Sequence, residues 1–144
     1  MRKLLRRSEH GSMSIEAVII TPIVVVFILF AVACGRFGLA QQAVQNAANA
    51  ASRDASLARS SSDADTQARA GAQGSMSSQN VKCAAMGINV DASGIDAPLG
   101  SIGTVRATVS CDVSFADIAF PGLPGSIHVE RSAASPVDPY RERS

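Results

Sequence analysis

The chain has 144 residues, a net charge of +1, no tryptophan and one tyrosine. This length allows a single small domain beside one long helix, so function is expected from a surface and not from a deep enclosed site. The balanced charge and scarce aromatic residues argue against nucleic-acid binding, which needs a basic face or a stacking platform.

The N-terminus carries a short basic leader, predicted here as residues 1–11. Its four basic side chains are Arg2, Lys3, Arg6 and Arg7. Gly11 ends the leader, and Glu16 follows five residues later. Because positive charge stays on the cytoplasmic side of a membrane, the leader predicts a cytoplasmic N-terminus and an exported C-terminus.

A long apolar segment follows the leader. From Ala17 to Cys34 the only polar side chain is Thr21. Residues 12–39 are therefore predicted to form a transmembrane helix, which includes Ala17, Pro22 and Gly35. A charge at bilayer depth costs about 2.5–3.5 kcal/mol, so Glu16 needs either a partner or a place at the headgroup level.

Gly11 followed by Glu16, between a basic leader and an apolar helix, resembles the type IV prepilin cleavage pattern. The run from Gly11 to Arg53, with Pro22, resembles the TadE family of pilus assembly proteins. Further matching residues are Gly35-Arg36 and Ala43-Val44-Gln45-Asn46-Ala47-Ala48. One departure is Ala17, where relatives often carry phenylalanine.

The resemblance implies a structural minor pilin or assembly component of a Tad/Flp type IV pilus system. A prepilin peptidase would cut between Gly11 and Ser12, and Glu16 would pair with the freed Ser12 amine of a neighbouring copy to set the axial register. The implied partners are this peptidase, other pilin subunits, the inner-membrane assembly platform and membrane lipid.

Beyond the span, residues 40–74 are predicted as a helix extension and loop. Helix is expected from Ser12 to about Arg59, with a new turn capped by Ser62 and Asp65 and an end near Ala70. A stripe of mostly small residues recurs every three or four positions, which suits close packing against other copies or against the chain's own sheet. Its members are Ala40, Ala43, Ala47, Ala50, Asp54 and Leu57.

Residues 75–132 are predicted as a small antiparallel β domain, which makes the fold class α+β. Strands are expected at Val81–Val90, Thr104–Phe115 and Ser126–Ser132, the second with strict alternation of apolar and polar side chains. Residues 133–144 are predicted as an irregular, flexible tail.

Two cysteines lie in the part predicted to be exported. Cys83 and Cys111 are expected to form a disulfide there, since that compartment is oxidising, whereas Cys34 lies apart in the apolar segment. The alternative is a pair of buried thiols. On the first strand, Val81, Cys83 and Ala85 are expected to share one face.

The chain shows no constellation of catalytic, metal-binding or cofactor-binding residues, and we expect it not to be an enzyme. His10 lies in the leader, and His128 is expected to stand alone on a polar strand face. Asp91 and Asp96 fit a polar turn better than a calcium loop, which needs more oxygen ligands.

Two other interpretations stay open. Ala31-Val32-Ala33-Cys34 resembles a signal-peptidase site and, loosely, a lipobox, which would make the chain an exported lipoprotein. A single-pass protein that carries a small binding domain outside the membrane would keep the same topology. A mature N-terminus at Ser12, Cys34 or Met1 distinguishes the three possibilities.

Overall fold

The computed structural model describes residues 10–98, 100–114 and 125–140. The chain contains two α-helices, a short 3-10 helix and a three-stranded antiparallel sheet, which confirms the α+β class. In chain order the elements are α1 (His10–Ser56), α2 (Ser61–Ser78), β1 (Cys83–Asp91), the 3-10 helix (Ser93–Asp96), β2 (Gly103–Ser114) and β3 (Ser126–Val137). Two compact units divide the chain, Met1–Arg36 and Phe37–Ser144.

Between Val18 and Val32, α1 presents apolar side chains on all sides. Every large apolar side chain from Val18 to Val32 is exposed, with Phe27 at 70% of its full exposure. Pro22 lies inside this helix. The Thr21 hydroxyl donates to the Ala17 carbonyl at 2.6 Å, so this polar group is satisfied within the helix.

The helical run is interrupted between Ser56 and Ser61. The Ser60 hydroxyl accepts from the Asp63 backbone N–H at 3.2 Å and therefore caps α2. The predicted cap at Ser62 and Asp65 is wrong by two positions. Asp65 instead forms an ion pair with Arg69 at 2.8 Å, and the hydrogen bond from this guanidinium lowers the pKa of the carboxyl below its usual range.

Helix α2 continues to Ser78, so the predicted helix end near Ala70 is wrong. Its buried side chains recur every four residues and form one continuous face: Ala64, Ala68, Ala72 and Met76. Gly71 lies against α1, because a Cβ there would meet the Asp54 carboxylate and come within 3.3 Å of the Ala50 carbonyl oxygen. The two helices therefore approach closely at a residue without a side chain.

The sheet has the order β1-β2-β3. β2 occupies the centre, and its apolar positions are buried as its alternation predicts: Val105, Ala107, Val109, Cys111 and Val113. In β1 the pairing shifts between Cys83 and Met86, which oppose Val113 and Cys111 respectively, so one extra residue forms a bulge. Ala85 is consequently exposed, and its predicted place beside Cys83 is wrong.

β3 is longer than its sequence predicts. It pairs with β2 along its whole length, as far as Val137 opposite Gly103. The prediction of an irregular segment from Ala133 is therefore wrong for residues 133–137. Pro136 is tolerated because β3 is an edge strand. On such a strand the backbone nitrogen of a proline can point to solvent, where no neighbouring strand needs an N–H donor.

Part of the second unit's core lies between the helices and one face of the sheet. The second half of α1 buries an alanine-rich face that includes Ala47, Ala51 and Ala55, each fully buried. Two hydrogen bonds link this helix to β3: the Arg131 guanidinium donates to Gln41 Oε1 at 2.6 Å, and the Ser135 hydroxyl donates to that of Ser56 at 3.1 Å. The predicted stripe of small residues is wrong at its C-terminal end. Ala50 and Asp54 are only half-buried there, and Leu57 is exposed.

Candidate functional site: the N-terminal helix

The proposed cleavage and register residues all lie on α1. Gly11 and Ser12 fall in its first turn, and Glu16 follows Ser12 by four residues, which is about one helical turn. Glu16 is exposed. Between residues 16 and 35 it is the only charged residue, so one carboxylate marks the beginning of an otherwise uncharged apolar stretch.

This stretch is long and apolar enough to cross a membrane. Of the residues that the structure describes, Glu16–Ser56 form the one helix that meets this test. Ala17, Pro22 and Gly35 all lie within it, and Gly35 has open space around the position of a Cβ. The exposure of its side chains distinguishes it from the core helix of a soluble protein, whose apolar residues are mostly buried.

A family model described as TadE-like protein matches residues 11–53. The chain is TadE-like over this segment. Comparison with curated proteins and with solved structures gave no significant match. The TadE-like match indicates a protein associated with a Tad pilus system, and the single apolar N-terminal helix is consistent with single-pass anchoring in a membrane.

The TadE-like segment coincides closely with α1. It begins one residue after His10 and ends three residues before Ser56. It therefore contains the apolar half of the helix as well as most of the alanine face that packs on the sheet. Neither α2 nor any strand falls within the match.

The predicted disulfide between Cys83 and Cys111 is confirmed. It links β1 to β2 beside the bulge, with a Cα–Cα distance of 5.3 Å. Cys111 is fully buried in the core and Cys83 is half-buried against it, so the bridge lies at the edge of the core. Cys34 is a free, exposed thiol on α1.

His128 does not stand alone, contrary to the prediction. Its Nδ1 lies 2.6 Å from Asp112 Oδ1, and the two residues face each other directly across β2 and β3 on the exposed face of the sheet. No group of three or more potential metal ligands occurs among the residues described.

Asp91 begins the turn that follows β1. The Ser93 backbone N–H donates to its carboxylate at 3.1 Å. A hydrogen bond from the Ser93 hydroxyl and, to a smaller extent, the one from its backbone N–H lower the pKa of the Asp91 carboxyl. Asp96 ends the 3-10 helix that follows.

Sequence reasoning missed the polar contacts of the second half of α1. The Asn46 side chain donates to Gln79 Oε1 at 3.0 Å, and Gln45 Nε2 lies 3.4 Å from Asn49 Oδ1. A signal was available in the clustering of carboxamides from residue 41 to residue 49. Which of them face the domain and which face outward depends on the alanine positions that are buried.

Proposed function

We propose that this chain is a structural subunit of a Tad/Flp type IV pilus system, a minor pilin or assembly component without catalysis of its own. One observation carries the proposal. The TadE-like match falls on a helix that exposes its large apolar side chains from Val18 to Val32, directly after the single carboxylate of Glu16. Such a surface suits lipid before assembly and the helices of other subunits after it.

Processing by a prepilin peptidase is the first step of this proposal. Cleavage after Gly11 would remove the leader and leave Ser12 with a free amine. The basic leader supports an orientation with the N-terminus in the cytoplasm and the disulfide-linked domain outside. The disulfide supports the same orientation, since such bonds persist outside the cytoplasm.

In the assembly, Glu16 then fixes the axial position of the subunit relative to its neighbours. A carboxylate and an ammonium group are each costly in hydrocarbon, but the cost falls when they are paired. Pairing of Glu16 with the Ser12 amine of a neighbour in the assembly would favour one axial stagger over all others. The partners in this scheme are the peptidase, other pilin subunits, the inner-membrane platform and the surrounding lipid.

The Glu16→Gln variant tests the register. It should insert into the membrane and lose its leader normally, yet fail to enter the pilus fraction, because an amide cannot form the ion pair. Glu130→Gln is the matched control, since Glu130 is exposed on β3 and should not affect incorporation. Incorporation of Glu16→Gln at the control level would contradict the proposed role.

The mature N-terminus tests the processing. Mass spectrometry of the natural product should give a chain that begins at Ser12, and Gly11→Ala should leave the leader in place. A natural product that keeps the leader would overturn the proposed processing.

A second candidate is an exported lipoprotein that begins at Cys34. It is favoured by the boundary between the two units, because the compact C-terminal unit begins at Phe37 and cleavage before Cys34 would leave it whole. A mature N-terminus at a lipidated Cys34 would establish this alternative in place of the pilin.

A further inference from the structure

The uncharged stretch of α1 is bounded by Glu16 at its start and Arg36 at its end. The two residues lie about 20 positions apart, which is about 30 Å of α-helix at a rise of about 1.5 Å per residue. The hydrocarbon core of a bilayer is also about 30 Å thick. A span that fills this core therefore places Glu16 at one headgroup layer and Arg36 at the other.

The C-terminal unit begins directly after this second charge. Phe37 is its first residue, and Ala40 is already buried in its core. Between them Leu39 leaves 65% of its surface exposed, which suits the boundary between hydrocarbon and headgroups better than water. Only one helical turn of chain separates Arg36 from the core, so the end of the unit that contains Phe37 is expected at the membrane surface.

Two hydrogen bonds identify which end of the sheet this is. Arg131 contacts Gln41 near the start of the unit, and Ser135 contacts Ser56 farther along α1. β3 therefore runs in the same direction as α1 and begins at the end that contains Phe37. Because the sheet is antiparallel, β2 ends and β1 begins there too. This end is here called the near end and comprises residues 82–83, 112–114 and 126–131.

The near end presents a lysine, Lys82, immediately before β1. Its side chain is exposed, and it forms no ion pair among the residues that the structure describes. Both carboxylates at this end have basic neighbours: Asp112 lies 2.6 Å from His128 Nδ1, and Glu130 is followed by Arg131. The lysine is therefore available to an external anion.

The opposite end of the sheet is acidic. Asp91 ends β1, Asp96 ends the 3-10 helix and Asp138 follows β3, and all three are exposed. One guanidinium, that of Arg106, lies opposite Asp91 in the sheet. The helix junction at this end contributes balanced charges: Arg53, Arg59, Asp54 and Asp63. A surface of anionic lipid attracts basic side chains and repels carboxylates, so the charge pattern favours the near end as the end that faces it.

We propose that the near end of the C-terminal unit rests on the outer surface of the membrane, where Arg36 and Lys82 bind the phosphates of anionic phospholipids. The planar guanidinium of Arg36 can donate two parallel hydrogen bonds to one phosphate, and Lys82 binds as a point charge. The inference rests on the membrane anchoring in the proposed function and concerns the subunit before it enters a pilus. In that state the contacts hold the subunit at a fixed height, with Glu16 at the opposite headgroup layer.

Fluorescence quenching of the full-length chain in liposomes tests the contact. The background is Cys34→Ser, in which the other two cysteines are bridged. A fluorophore on Ser126→Cys reports the near end, and one on Ser101→Cys, an exposed serine just before β2, is the matched control at the opposite end. With phosphatidylglycerol in phosphatidylcholine and a quencher on the lipid headgroups, we expect several-fold stronger quenching at Ser126→Cys.

The role of the two basic residues is tested in the same assay. Lys82→Glu combined with Arg36→Gln should bring the quenching at Ser126→Cys most of the way to the value at Ser101→Cys. Arg106→Gln is the matched control, because it removes an exposed guanidinium at the opposite end, and it should change nothing. Liposomes of phosphatidylcholine alone should weaken the quenching of the unsubstituted chain in the same way, which needs no variant.

Two results would overturn the inference: equal quenching at Ser126→Cys and Ser101→Cys, or near-end quenching that depends neither on the basic residues nor on phosphatidylglycerol. The outcome can be separated from that of the proposed function. If the mature chain begins at Ser12 and enters pili but the two reporters are quenched equally, only the lipid contact is wrong. If charge-dependent quenching occurs in a chain that keeps its leader in the cell, the lipid contact holds and the pilin processing is wrong.

Discussion

At the scale of single residues, two glycines allow two backbone segments to approach closely. A Cβ on Gly103, in β2, would collide with the Gly94 carbonyl, and a Cβ on Gly94 would collide with the Thr104 backbone. These contacts hold the 3-10 helix against the start of β2. Because the opposing atoms belong to the backbone, they cannot move aside as the end of a flexible side chain would.

Gly103→Ala should therefore destabilise the protein by about 1–3 kcal/mol, the usual cost of overpacking. Urea unfolding of the detergent-solubilised chain, followed by circular dichroism, measures this loss. Gly125→Ala is the control, since no atom of the described residues lies within 4 Å of its Cβ position. Equal midpoints for the two variants would show that the Gly94–Gly103 contact is not tight.

Ser60 is the N-cap residue immediately before α2. Ser60→Ala removes the acceptor for the Asp63 N–H and should cost about 1 kcal/mol, as for other N-caps. Ser62→Ala, the position that sequence alone favoured, should change stability much less. The same unfolding assay decides between them, and a larger loss at Ser62 would reverse the assignment.

At the scale of the elements, strict alternation was the most reliable signal. β2 begins one residue before its prediction, and its five alternating apolar positions from Val105 to Val113 are all buried. The strand is central, so hydrogen bonding on both sides and burial on one face agree with the local pattern. The end predicted at Phe115 falls just outside the described residues.

The elements that differ from prediction do so for reasons that lie outside their own sequence. The glycines after Ala70 predicted the end of the helix, but α2 continues through them. Gly71 is needed inside the helix because α1 approaches it there and leaves no room for a side chain. The bulge in β1 depends on the register of β2, which no local pattern contains. Pro136 predicted an irregular tail, yet an edge strand accepts it.

The disulfide between Cys83 and Cys111 links β1 to β2, and its contribution to stability can be predicted. The bridge spans 28 positions in sequence, and in the chain-entropy model such a loop stabilises by about 3–4 kcal/mol. Cys83→Ser combined with Cys111→Ser should lower the free energy of unfolding by about this amount. Cys34→Ser should not, because that thiol is exposed and unbridged.

At the scale of the whole molecule, the candidate site and the core lie in different units. The candidate site could be proposed from the sequence, because it consists of residue types and spacings along one helix: Gly11, Ser12, Glu16 and the apolar run. The core was less predictable, since it depends on which alanines of α1 meet which strand.

This division predicts that residues 37–144 fold without the span. Their core contains its own fully buried side chains, including Val44, Val105 and Val109, and its own disulfide. The apolar side chains from Val18 to Val32 are exposed and so contribute little to it. A fragment that begins at Phe37 should be soluble and unfold cooperatively in urea, with a free energy of unfolding of about 5–15 kcal/mol.

A longer fragment that begins at Ile28 is the control for this prediction. It adds exposed Leu29, Phe30 and Val32, so it should need detergent to remain in solution, while the urea midpoint of its folded unit stays the same. A reducing agent should lower that midpoint in both fragments, because both carry the Cys83–Cys111 bridge. If the shorter fragment shows no cooperative transition under oxidising conditions, the C-terminal unit needs the membrane helix to fold, and cleavage at Cys34 loses its structural support as well.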